Sequence, residues 1–265
     1  MDNDDKQVGQ VLNRRDVLRI LGLGATATLL ASCAPEIMET LSPTAVPTTA
    51  PTTASITEAV ATELSAATNA AIPMCVVRPE LTEGPYFVDE MLNRSDIRED
   101  TSDGSVVNGS PLEITFNVTQ IGSGGCVVLP NAQVDIWHCD ANGVYSDASD
   151  PGFNTKGKTF LRGYQVTDAN GVAKFTTVYP GWYDGRAVHI HFKIRYDNQE
   201  FTSQLFFDDA FTDGVYSQEP YAQKGTRTLL NSQDNIYNGG GSQLVLNVTP
   251  SGAGYTSSFD IGMQI

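Results

Sequence analysis

Histidine is scarce in this chain: three occur among 265 residues, so any histidine pair stands out. Charge is thin too. Only 18% of residues are Asp, Glu, Lys or Arg, which excludes a coiled coil or long helical bundle, both built on Ala, Glu, Lys and Leu. Basic residues are outnumbered, 16 against 31 acidic ones, for a net charge of −15. A surface of that sign repels phosphate backbones and anionic lipid headgroups, so neither nucleic-acid binding nor charge-driven membrane adhesion is expected. The four cysteines include no C-x-x-C pair, and Cys75, Cys126 and Cys139 are scattered, which argues against a structural zinc site. No comfortable membrane span is present either: the apolar stretch at 17–32 is too short and too rich in Gly and Thr.

That stretch has another reading. Arg14-Arg15 stands just before it, in the order of a twin-arginine export signal. It ends in Leu30-Ala31-Ser32-Cys33, which looks like a lipobox whose cysteine receives diacylglycerol after cleavage. Residues 1–32 are therefore expected to be a Tat-type lipoprotein signal peptide. The domain is expected outside the cytoplasmic membrane of a bacterium, as a cell-surface or periplasmic lipoprotein held through Cys33. Cleavage there removes four acidic residues (Asp2, Asp4, Asp5, Asp16) and four basic ones (Lys6, Arg14, Arg15, Arg19), so the acidity belongs to the exported protein. Residues 34–74 hold no Lys or Arg, and Ala, Thr and Pro supply 10, 9 and 5 of these 41 positions. Such a stretch cannot bury enough apolar surface to offset its ordering entropy, so residues 33–74 read as the lipidated cysteine and its flexible tether. With Cys33 lipidated, three cysteines remain, enough for one bridge at most in a monomer.

Residues 75–265 read as one domain. Leu112, Ile114, Phe116 and Val118 alternate with polar residues, the period of a half-buried strand. Val134, Ile136 and His138 do the same, as do residues 187–195. Residues 165–175 are two such runs around Asp168-Ala169-Asn170-Gly171, which predicts a hairpin. Further strands are expected over 243–248 and 258–265, and one short helix within 220–231. Short strands with Gly, Asn and Pro turns indicate an all-β fold, a β-sandwich of mainly antiparallel strands with long active-site loops.

The chemistry concentrates at His189-Ile190-His191. On a strand, residues i and i+2 share a face, so both imidazoles are expected side by side with Val188, Ile190 and Phe192 facing the core. The pair is either a metal-binding edge or a polar face that happens to carry two histidines. Asp184 or Asp208 could complete a ferrous site of two histidines and a carboxylate. Tyr145, Tyr164, Tyr179 and Tyr183 offer phenolates instead, hard donors that suit Fe(III).

Five strings occur in order: T-E-G-P-Y-F at 82–87, W-H-C-D-A-N-G-V-Y at 137–145, P-G-W-Y at 180–183, R-A-V-H-I-H-F at 186–192, and Q-L-F-F at 204–207. Together they resemble the intradiol ring-cleavage dioxygenases, the family of catechol 1,2-dioxygenase and protocatechuate 3,4-dioxygenase. The resemblance runs from about Leu81 to Gly262. It implies a non-haem Fe(III) enzyme that cleaves catechol-type diols between the two hydroxyls with O2, giving cis,cis-muconate-type diacids. The implied iron ligands are Tyr145, Tyr183, His189 and His191, with Tyr183 the one released when substrate binds. It implies further that Arg186 and Gln204 act at the ring-cleavage site, while Tyr86, Tyr164 and Tyr179 line the cavity or core. Two features depart from the family pattern. The N-terminal helical region through which catechol dioxygenases dimerise has no counterpart, which leaves the oligomeric state open. Trp182 replaces a proline beside a ligand. Competing readings are a lipid-anchored β-sandwich module that binds solutes or carbohydrate, and a ferrous or zinc hydrolase on the same scaffold.

Overall fold

A computed structural model describes residues 76–265; the export signal, Cys33, the tether and Cys75 lie outside the described residues. The organising strand is β1 (Pro111–Gly122). Its Leu112, Ile114, Phe116 and Val118 are buried, as their alternation requires. One edge of β1 pairs with β11 (Gly254–Met263) in parallel. The other edge pairs antiparallel first with β7 (Val172–Val178) and then with β2 (Gly125–Val128). The short β10 (Thr249–Ser251) borders β11.

A second sheet runs antiparallel throughout, in the order β6 (Arg162–Val166), β3 (Gln133–Trp137), β8 (His189–Tyr196), β9 (Gln199–Phe206). Phe116 of β1 meets Phe192 of β8 with ring centroids 5.5 Å apart, and Phe192 meets Phe259 of β11 at 5.5 Å. These rings, with Ile114, Val134, Ile136, Ile190 and Ile194, form the core between the sheets. The fold is the expected all-β sandwich, with the parallel β1–β11 pair as its exception to antiparallel order. A two-stranded ribbon, β4 (Ser149–Asp150) with β5 (Phe153–Asn154), stands apart in the loop after β3.

Three local expectations need correction. The turn at 168–171 joins no hairpin: β6 pairs with β3 while β7 pairs with β1, so this turn carries the chain from one sheet to the other. Its chemistry is still that of a tight turn, with Asp168 Oδ1 accepting from the backbone N–H groups of Asn170 and Val172. Gly171 has φ +73°, and a Cβ there would strike the carbonyl oxygen of Val118. Over 243–248 no strand forms; a 3-10 turn (Gly241–Gln243) is followed by a single bridge from Val245 to Phe206. The segment 220–231 holds a 3-10 turn (Tyr221–Lys224), and the longer helix, α1 (Asp209–Tyr216), lies upstream of it, N-capped by Asp208. Cys126 is disulfide-bonded and Cys139 is a free, buried thiol, which agrees with at most one bridge.

Candidate metal centre

Strand β8 is buried on both faces along most of its length. Ile190 and Phe192 enter the core, so His189 and His191 share the opposite face. Two loops and the segment before β1 cover that face. In the first loop, Asp140 Oδ1 accepts from Asn142 and Val144 N–H, and Gly143 turns with φ +80°, which brings Tyr145 back over the sheet. The second loop, between β7 and β8, carries Tyr183; its Gly181 N–H donates to the Asp140 carbonyl at 3.1 Å. Lys224 Nζ donates to the carbonyls of Asn142 and Trp182, one in each loop, and lies 4.6 Å over the Trp182 ring. Trp182 thus helps pin the two tyrosine loops together. Gly84, from the leading segment, packs on His191, where a Cβ would sit 3.0 Å from Cε1.

Four donor atoms converge. Nε2 of His189 lies 3.0 Å from Nε2 of His191, 3.3 Å from the Tyr183 hydroxyl and 3.5 Å from the Tyr145 hydroxyl. His189 Nδ1 donates to the Ala187 carbonyl at 2.6 Å, which fixes the proton there and aims the Nε2 lone pair at the other three donors. The His191 ring is held by stacking on Trp137, centroids 5.0 Å apart and 9° from parallel. Its Nδ1 is buried with no hydrogen-bond partner.

The electrostatics favour neutral rings. Burial, then the Arg186 charge, pushes both imidazoles well below their ordinary pKa. Burial lifts Tyr145 well above its ordinary pKa and Tyr183 to about 12. A bound metal reverses that logic for a phenol by supplying the missing positive charge. The spacings also fit. For metal–ligand bonds of about 2.1 Å, donors at right angles lie about 3.0 Å apart and tetrahedral ones about 3.4 Å. Two neutral imidazoles and two phenols are a hard, anion-forming set that matches a trivalent ion.

The carboxylates do not compete. Asp184 accepts from the Thr228 hydroxyl at 3.0 Å, and Asp208 is spent on capping α1. Among the described residues no group of three or more His, Cys, Asp or Glu could hold a metal. The third histidine, His138, is turned away, its ring nitrogens bonded to the Cys139 carbonyl and the Thr177 hydroxyl. Tyr179 belongs to the core, paired with the Thr212 hydroxyl. Tyr164 stands on β6, two strands from β8. Tyr86 lines the centre: it stacks on Tyr145 at 4.3 Å and donates to Asp150 Oδ2 at 2.8 Å.

Arg186 and Gln204 are joined. An Arg186 terminal nitrogen donates to Gln204 Oε1 at 2.5 Å, and Gln204 Nε2 donates to the Thr82 carbonyl at 2.9 Å. Gln204 sits on β9 directly beside His191. The other end of Arg186 is not paired with neighbouring Asp184 but with Asp234, Nε to Oδ2 at 3.0 Å. Sequence reasoning missed Asp234.

Residues 82–247 match the family model for dioxygenases. An intradiol ring-cleavage dioxygenase from Tetranychus urticae is 31% identical, covers 72% of this chain and 95% of its own, and superposes with a TM-score of 0.63. The chain belongs to the intradiol ring-cleavage dioxygenases. A dioxygenase domain of a dioxygenase and carbohydrate-binding fusion protein from Streptomyces sp. SirexAA-E is also similar, at 26% identity and TM-score 0.50, covering 72% of this chain and 99% of that one. As an intradiol dioxygenase the chain is an oxidoreductase, which sets aside both the binding-module and the hydrolase readings.

Proposed function

We propose that this intradiol dioxygenase holds one non-haem Fe(III) through Tyr145, Tyr183, His189 and His191 and cleaves catechol-type aromatic diols between their hydroxyls with O2, giving cis,cis-muconate-type diacids. The observation that carries the reading is the 3.0–3.5 Å convergence of two phenol oxygens and a second imidazole on His189 Nε2. Held by those four residues, Fe(III) would supply Lewis acidity that favours the ionised form of the diol. The protein's part is proton handling, charge and shape. Tyr183, in the loop after β7, would accept one of the two diol protons at its phenolate oxygen, the second leaving to solvent. With its basicity raised by burial, the freed phenolate is a strong acceptor. Arg186, fixed at both ends by Asp234 and Gln204, faces the same space with its positive charge and stabilises negative charge that develops on the ring. Tyr86, stacked on Tyr145, walls the centre on one side. The Tat-type signal and lipobox support an exported lipoprotein anchored through Cys33. The Cys126 disulfide supports the same compartment, since such bonds persist outside a reducing cytosol.

The test of the reaction is oxygen uptake with a panel of diols (catechol, protocatechuate, hydroxyquinol), followed by product analysis. One O2 consumed per diol and an ultraviolet-absorbing diacid is the expected result. A yellow semialdehyde, from cleavage beside the hydroxyls, contradicts the reading, as does no uptake with any diol.

A further inference from the structure

We infer that Asp234 is the positioning residue of this centre, its one carboxylate setting both the Arg186 guanidinium and the residue that orients His189. The inference rests on the iron-centre reading above. Asp234 lies 48 residues after Arg186 and is 2% exposed. It precedes a single helical turn, α2 (Asn235–Asn238). Oδ2 accepts from Arg186 Nε at 3.0 Å and from the Ala187 backbone N–H at 2.7 Å. Oδ1 accepts from the N–H groups of Ile236 at 2.7 Å and Tyr237 at 3.1 Å. Ala187, gripped at its nitrogen by Asp234, uses its carbonyl to accept the His189 Nδ1 proton. A continuous chain therefore runs from α2 through Asp234 to the charge of Arg186 on one side and to the ring of His189 on the other.

Four N–H donors and no acceptor meet this carboxylate. Only an ionised side chain satisfies all four; an amide in its place turns its own N–H groups toward two of them. Stability alone does not account for the arrangement, because a buried ion pair gains little over apolar packing. A guanidinium that stabilises developing charge, in contrast, has to be held in place before the charge appears. Arginine has many rotamers to lose, and Asp234 and Gln204 remove that freedom from opposite ends. The carboxylate touches no reacting atom; it acts through Arg186 and Ala187.

The experiment compares the full-length wild type with Asp234→Asn, Arg186→Leu and the double variant. Iron content, kcat, KM and the crystallographic position of the Arg186 guanidinium are read for each. Asp234→Asn is expected to keep its iron within about twofold and to lower kcat by roughly 10- to 100-fold, the range seen when a group supporting a metal ligand is removed. Its KM should move less than about threefold, and the guanidinium should leave Gln204. In the Arg186→Leu background the same substitution should cost clearly less in kcat than in the wild type, because the arm through Arg186 is gone and only the arm through Ala187 to His189 is left. Should Asp234→Asn fold poorly, Asp234→Ser keeps an acceptor for the N–H groups of α2 while removing the ion pair, and the same outcomes apply. An unmoved guanidinium with unchanged kcat overturns the inference, and so do losses that multiply in the double variant, the mark of a merely structural cap. If the wild type oxidises no diol, the iron reading fails, and the guanidinium position alone decides the role of Asp234.

Discussion

The Nε2 atoms of His189 and His191 stand 3.0 Å apart on one strand face, with their rings 80° from parallel. His189 keeps its proton on Nδ1 for the Ala187 carbonyl, so the gap holds either one proton from His191 or one metal ion. Removing either ring deletes a quarter of the proposed donor set. His189→Ala and His191→Ala are each expected to lower iron content at least about 10-fold in protein made with ample iron, the scale on which even supporting residues act. Metal analysis of the purified variants checks this, with an unchanged thermal midpoint of the metal-stripped proteins showing that the fold persists.

Arg186 and Tyr183 should fail in different ways. Arg186→Leu leaves every donor in place, so iron and colour are expected to stay while kcat falls roughly 100-fold, the loss typical of removing a preorganised charge donor. Gln204→Ala, which frees only one end of the guanidinium, should be milder. Tyr183→Phe should retain some iron yet lose or shift the visible band, and slow deprotonation of the diol. Parallel spectra and steady-state kinetics on the three variants separate these outcomes.

Asp135, on β3, gives a pH-dependent prediction away from the centre. Burial raises its pKa to about 6, against the opposing pull of Arg195, a Gln133 hydrogen bond and Lys193. Between roughly pH 4, where an unfolded Asp titrates, and pH 6, the folded protein holds a proton that the unfolded chain has released. The Asp135 contribution to stability therefore falls as pH rises through that window. Asp135→Asn should gain on the wild type by at most about 3 kcal/mol between pH 4 and pH 8, from two units of pKa. Denaturant unfolding of both proteins at the two pH values measures it, and a constant difference contradicts it.

Export can be tested without the reaction. Arg14 and Arg15 replaced by Lys should leave the protein in the cytoplasm, and Cys33→Ala should abolish labelling by a lipid precursor. Normal labelling of the Cys33→Ala protein rejects the anchor.

The part of the site legible in the sequence is the part carried by local periodicity. His-Ile-His on an alternating segment placed both imidazoles on one face, and the structure has them there. Tyr145 and Tyr183 were legible only as members of family strings, because each reaches the centre through a loop whose path depends on the Asp140 turn and its bond to Gly181. Asp234 carried no signal: nothing in its spacing to Arg186 marks it, and an acidic residue in a Gln- and Asn-rich loop looks like solvent-facing surface. The fold shows the same boundary. Alternation found β1, β3, β8 and β11, yet the turn at 168–171 looked like a hairpin because turn chemistry is identical whether the next strand pairs with the last or crosses to the other sheet. Helix α1 was missed because eight residues containing Thr, Gly and Val have little helix propensity of their own; it is held by its Asp208 cap and the burial of Thr212, Val215 and Tyr216.

The most direct test of the centre is the metal content of the purified wild type read together with its visible spectrum. The account predicts one iron per chain and a reddish-brown band from tyrosinate-to-Fe(III) charge transfer. Stoichiometric zinc in a colourless protein, made under iron-replete conditions, contradicts it.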